Sequence, residues 1–222
     1  MKKISFKLFP FLFSVFIFTN CGDRATKEYE DALNEADNSK YEEVDNEEIA
    51  KEEITTLLQN LYEWKENEDL ESFDFDVLED DRVYTKIDAP ALKKRISTLK
   101  ETDFFSKKFL DNYSKIAKGI DNYLQSGEEE VLVGDMMPFG NGANPWCNCQ
   151  DSPEKYWEKL KIDFYKIDDK RARGRWTFGD SNFGKDFNYY FEVLVEDGIW
   201  KIDYLQGFDY DEYFHIRLQE NN

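Results

Sequence analysis

Cys147 and Cys149 flank a single asparagine in the segment NPWCNCQDSPEKYW, residues 144–157. Two thiols so placed admit a local disulfide or plain loop packing, a bond to another chain, or a redox pair. A metal site is the weakest reading. Two sulfurs do not complete a tetrahedral zinc centre, and the one histidine, His215, lies far along the chain. The one-residue spacing is not the Cys-x-x-Cys of a thioredoxin-type motif. Residues at i and i+2 bridge only where the chain bends, bringing their Cα atoms within about 4.4–6.8 Å. The Gly, Asn and Pro residues around the pair permit that bend. A structural clip is therefore read first, and the other two options stay open.

Other reactive groupings are sparse. There is no Gly-rich phosphate loop, no G-x-S-x-G and no zinc-binding histidine pair. A Ser-His-Asp triad would have to recruit His215 from the polar C-terminal segment. The acid–aromatic runs at 73–81 and 207–214 lack the spacing of a calcium loop. No metal or cofactor is expected. Asp163 and Asp203 lie on predicted strands, where alternation with core residues predicts that both face outward. Trp146, Trp176, Tyr190 and Trp200 offer material for an apolar pocket, with Gln150 and Asp151 at its mouth. The simpler reading is that these aromatics fill the core.

The third cysteine sets the compartment. The chain opens MKKISFKLFPFLFSVFIFTNC, with Lys2, Lys3 and Lys7 ahead of an apolar run from Leu8 to Phe18. That run is too short to span a bilayer, which takes about 20 apolar residues. It has the charge order of a secretory signal. Ending at Cys21, it resembles a bacterial lipoprotein signal, which implies cleavage after residue 20, a lipid (palmitate among its acyl groups) on Cys21, and anchorage in the cell envelope. Phe18 and Asn20 depart from the residues most common at those positions.

The first 20 residues hold three lysines and no acid, so the remainder carries 26 basic against 48 acidic residues, a net charge of −22. Such a field repels nucleic acid and anionic headgroups and favours basic partners. Residues 21–46 are acidic and poor in apolar residues. They read as a flexible tether with a reach of roughly 25–30 Å. Residues 47–207 read as the folded domain and 208–222 as a polar tail.

Within the domain, Ile54, Leu57, Leu58 and Leu61 trace one stripe of a helix over 47–66. Pro90 sits in the first turn of a short helix over 88–97. A longer helix is expected from a cap at Asp103 to Gly127, with Phe109, Tyr113, Ile116, Ala117, Ile120 and Leu124 inward. Beyond the Gly- and Pro-rich segment the period becomes two. Strands are predicted at 160–167, 172–178, 187–195 and 199–205, the last two joined by Asp197-Gly198. The sum is an α+β fold of three N-terminal helices on a curved, four-stranded antiparallel sheet.

That order, closing on VEDGIWKIDYL, resembles the cone-shaped nuclear-transport-factor-like and ketosteroid-isomerase-like superfamily over about residues 50–205. With NPWCNCQDSPEKYW it is similar, more narrowly, to uncharacterised bacterial lipoproteins and periplasmic proteins on that fold. The resemblance implies a sheet wrapped around helices to leave a pocket, and no particular activity. A non-catalytic module binding a small ligand or a basic protein is the leading expectation. An enzyme using a buried carboxylate, or an envelope inhibitor or accessory subunit, are the alternatives.

Overall fold

A computed structural model describes residues 46–68, 75–135, 137, 139–140, 142–179 and 187–214. All belong to the second of two units, Asp45–Asn222. The expected signal sequence, Cys21, most of the expected tether and His215 lie outside the described residues.

Helix α1 (Asn46–Asn67) buries Ile54, Leu58, Leu61 and Tyr62 along one stripe. Helix α2 (Ala89–Glu101) starts where Asp88 accepts the backbone N–H of Ala91, with Pro90 in its first turn, and runs a turn beyond the expected end. Helix α3 (Lys107–Ser126) has the strongest apolar face, from Phe109 to Leu124, and Gly127 closes it in the left-handed region. Its cap is Ser106, whose Oγ accepts the N–H of Phe109 at 3.0 Å. The expected cap, Asp103, lies three residues upstream at φ 60°, and its carboxylate instead pairs with Lys201 at 2.8 Å.

The acidic stretch between α1 and α2, read as irregular, contains a hairpin. Strands β1 (Val77–Asp80) and β2 (Val83–Ile87) are joined by Asp81 and Arg82, both at positive φ. This is the backbone demand of a tight two-residue turn, met here without glycine. The hairpin packs on α3, and Asp121 accepts the N–H of Ile87 at 3.0 Å.

The second half supplies the four-stranded antiparallel sheet: β3 (Lys161–Ile167), β4 (Arg171–Thr177), β5 (Tyr189–Glu196) and β6 (Ile199–Leu205), in that spatial order. Asp197 and Gly198 form the last turn with positive φ at both positions. Ala172, Trp176, Tyr189, Phe191, Val193 and Ile202 face the helices and are buried. The edge of β6 is extended by the chain entering α3, through Ile202 N–H to Phe104 O (2.8 Å) and Ser106 N–H to Ile202 O (2.9 Å). On the other edge, β3 carries Lys161, Asp163 and Lys166 and a register slip between Phe164 and Lys166.

The segment read as a polar tail from 208 is partly core. Phe208 and Tyr213 are buried, and residues 210–214 are helical. Tyr213 O accepts the N–H of Gly140 at 2.9 Å. Among the described residues, no helix is long and apolar enough to cross a membrane.

Candidate functional site

Cys147 and Cys149 are joined, with Cα atoms 5.2 Å apart. The bend comes from Asn148 at φ 51°, a left-handed conformation that asparagine tolerates better than most residues. Asn144 organises the turn. Its N–H donates to Cys149 O at 2.9 Å, its carbonyl accepts the N–H of Asn148 at 2.7 Å, and its side-chain oxygen accepts the N–H of Trp146 at 3.0 Å. Trp146 then enters the core, 1% exposed, with its ring 4.8 Å from Phe208 and 6.0 Å from Phe105. Its Nε1–H is buried without an acceptor among the described residues.

The clip is held from the far side by Tyr189, whose hydroxyl donates to Pro145 O at 2.6 Å and accepts the N–H of Gly207 at 3.1 Å. Gly207 lies so close to Pro145 that any Cβ there would overlap its carbonyl. The geometry is that of a staple between a surface turn and the core.

The six residues expected around one pocket do not converge. Trp146 and Trp176 are core. Trp176 Nε1 donates to the Tyr62 hydroxyl at 2.9 Å, and its ring stacks on Tyr156 at 5.9 Å. Burial pushes the Tyr62 and Tyr156 hydroxyls well above their ordinary pKa, with Glu66 adding to the shift at Tyr156. Tyr190 stands on the opposite, outer face, 43% exposed. The run FNYYFEVLV is apolar on both faces, so period alone does not say which of Tyr189 and Tyr190 turns inward. Gln150 and Asp151 are exposed beyond the clip. Trp200 is half-buried and lines a separate groove near the start of α1.

Asp163 faces outward as expected, paired with Arg175 at 2.9 Å. Asp203 does not: it is 5% exposed. It falls where the β5–β6 register slips, between the partners of Glu192 and Val193, so simple alternation does not apply to it. Ser106 Oγ donates to Asp203 Oδ1 at 2.8 Å and Lys108 Nζ to Oδ2 at 2.7 Å. Both carboxylate oxygens are thus engaged by the first residues of α3.

The outer sheet face, missed in the sequence, gathers recognition-type side chains. Tyr165 is 56% exposed, 6.1 Å from the Tyr190 ring, with the Arg175 guanidinium 5.8 Å from its centroid. The Asp163 hydrogen bond raises the pKa of Arg175 further. Arg173 pairs with Glu192 at 3.0 Å across the next register position. Residues 161–177 hold six basic and three acidic side chains in a chain of net charge −19. Arg171, Arg173 and Arg175 at alternate positions were the available signal.

Among the described residues, no three His, Cys, Asp or Glu side chains are grouped to hold a metal ion. No family model, curated protein or solved structure matches the chain.

Proposed function

We propose that the chain is an envelope lipoprotein, anchored through a lipid on Cys21, whose cone-like α+β domain is a non-catalytic module that binds a protein partner. The observation that carries the reading is the division of the aromatics. Trp146 and Trp176 are spent in the core, while Tyr165 and Tyr190 stand open beside Arg175 on the sheet. Tyrosine and arginine are the residue types that dominate binding energy at protein interfaces. The chain as a whole favours basic partners. The β3–β4 face is the exception, so the surface meeting it is expected to bring acidic and aromatic groups. Asp203, the buried carboxylate weighed as a catalytic base, already has both oxygens bound, which supports binding over catalysis.

The test places a photocrosslinking side chain at 165 or 190, and at the exposed Lys118 of α3 as control, in cells that make the protein. Discrete crosslinked species from 165 and 190, absent from 118, are expected in the membrane fraction. Cys21→Ala is expected to move the protein to the soluble fraction. Equal crosslinking from all three positions would overturn the binding face. Unchanged membrane association of Cys21→Ala would overturn the anchor.

A further inference from the structure

A second surface, at the ends of the strands beside the start of α1, is concave. The first two turns of α1 pass the ends of β3, β5 and β6 and leave a groove of about 540 Å³. Ile49, Ala50, Ile167, Val195 and Trp200 form its apolar lining. Ile49 is 42% exposed, and Ile199 beside Trp200 is 45% exposed, so apolar area is left uncovered there.

The polar lining is Asn46 and four acids: Glu47, Glu53, Asp168 and Asp169. Their states differ. Glu47 pairs with Lys51 at 2.7 Å. Asp168 accepts the backbone N–H groups of Lys170 and Arg171 at 3.0 and 2.9 Å, which holds its pKa below the ordinary carboxylate value. Glu53 and Asp169 make no ion pair or hydrogen bond among the described residues. The positive end of α1, which would otherwise draw an anion, is already answered by Glu47 and Glu48 in its first turn. Among the described residues, the groove therefore combines an open apolar floor with two carboxylates that have no cationic partner, and no lysine or arginine lines it.

We infer that this groove binds a cationic peptide segment, one or two apolar side chains seated over Ile49 and Trp200 and flanking lysine or arginine side chains meeting Glu53 and Asp169. Its volume lies in the range of sites that enclose a small ligand, roughly 300–1,000 Å³. Charge selects the occupant: an anionic segment meets four carboxylates, and a cationic one meets two that have no partner among the described residues. Apolar anchorage supplies affinity, and the carboxylates supply the preference and speed encounter. The inference is independent of the sheet face and stands if that face binds nothing.

The experiment uses the full chain in detergent and three fluorescent hexapeptides: alternating lysine and leucine, glutamate and leucine, and lysine and serine. Anisotropy is expected to show saturable binding of the lysine–leucine peptide, with the other two at least about tenfold weaker. Glu53→Gln with Asp169→Asn is expected to weaken it about tenfold, the product of two exposed charge pairs. Ile49→Ser, at an exposed position that leaves folding intact, is expected to weaken it by a similar factor, and Lys118→Ala to leave it unchanged. Equal affinity for the glutamate–leucine or lysine–serine peptide would overturn the inference. So would binding that ignores both groove variants, or binding that appears only after residues 22–45 are removed, which would make the chain's own segment the occupant.

Discussion

Replacing Tyr62 with phenylalanine isolates one hydroxyl in the centre of the core. Tyr62 is fully buried, its ring 4.9 Å from Trp176 and 5.6 Å from Tyr156, and its oxygen is the acceptor for Trp176 Nε1 at 2.9 Å. The phenyl ring keeps the packing, so the cost at neutral pH comes from the stranded indole N–H, about 1–3 kcal/mol. A second effect appears only in alkali. Burial raises the Tyr62 pKa well above its ordinary 10, so above pH 10 the unfolded chain loses the proton first and the native state binds more protons. Stability is whole below that pH and falls as pH rises toward the folded-state value. Each raised tyrosine costs about 1.4 kcal/mol per pH unit there, so Tyr62 and Tyr156 together cost about 3 kcal/mol per unit. Tyr62→Phe removes one of the two, and its slope above pH 10 is expected to be shallower by about 1.4 kcal/mol per unit. Urea unfolding followed by far-UV circular dichroism at pH 7 and at steps from pH 9 to 11 measures both. A variant within about 0.5 kcal/mol of the parent at pH 7 and with the same alkaline slope would refute the burial of this hydroxyl and its role as acceptor.

Two further substitutions probe the clip. Gly207→Ala drives a Cβ into the rigid Pro145 backbone carbonyl and is expected to cost more than about 2 kcal/mol and to alter the near-UV signal of Trp146; a near-neutral urea midpoint would show that the approach relaxes freely. Replacing Cys147 and Cys149 together with serine opens a three-residue ring, for which chain entropy gives a loss of about 1–2 kcal/mol. The melting temperature of this variant is expected to ignore reductant while that of the parent falls to meet it, and a reductant-insensitive parent would show that the bridge contributes no stability.

Elements whose period is set by one buried face were legible from the residues. The stripe of α3 and the alternation of β3 and β4 each place an apolar set toward one partner, and the Asp197-Gly198 turn announces β6, so the limits of these elements were read within a few residues. Elements fixed by distant contacts were not. The β1–β2 hairpin has charged strands and an Asp81–Arg82 turn without glycine, so neither its faces nor its turn announced it. Ser106 and Asp103 are both competent caps by type. The choice falls to Ser106 because its hydroxyl also reaches Asp203, 97 residues away. The site reading failed at the same kind of point. Tyr189 and Tyr190 are interchangeable by composition, and a one-residue choice of parity moves an aromatic from core to open face. Trp200 is placed beside Ile49 only by the packing of α1 against the strand ends. The chemistry of Cys147 and Cys149 depended on the backbone of Asn148, which no neighbouring residue type dictates.

The seam between Ser106, Lys108 and Asp203 has a consequence for how the domain comes apart. It welds the start of α3 to β6, the last strand, so the chain on either side of the 128–155 region meets there directly, in addition to the contacts made by Trp146 and Pro145. The helical half and the sheet half are therefore not separable lobes on a hinge. A protease cut near Gly142 is expected to leave two fragments that remain bound as one particle, with α3 and β6 amides exchanging hydrogen together. A partner gripping either the sheet or α1 holds the whole domain.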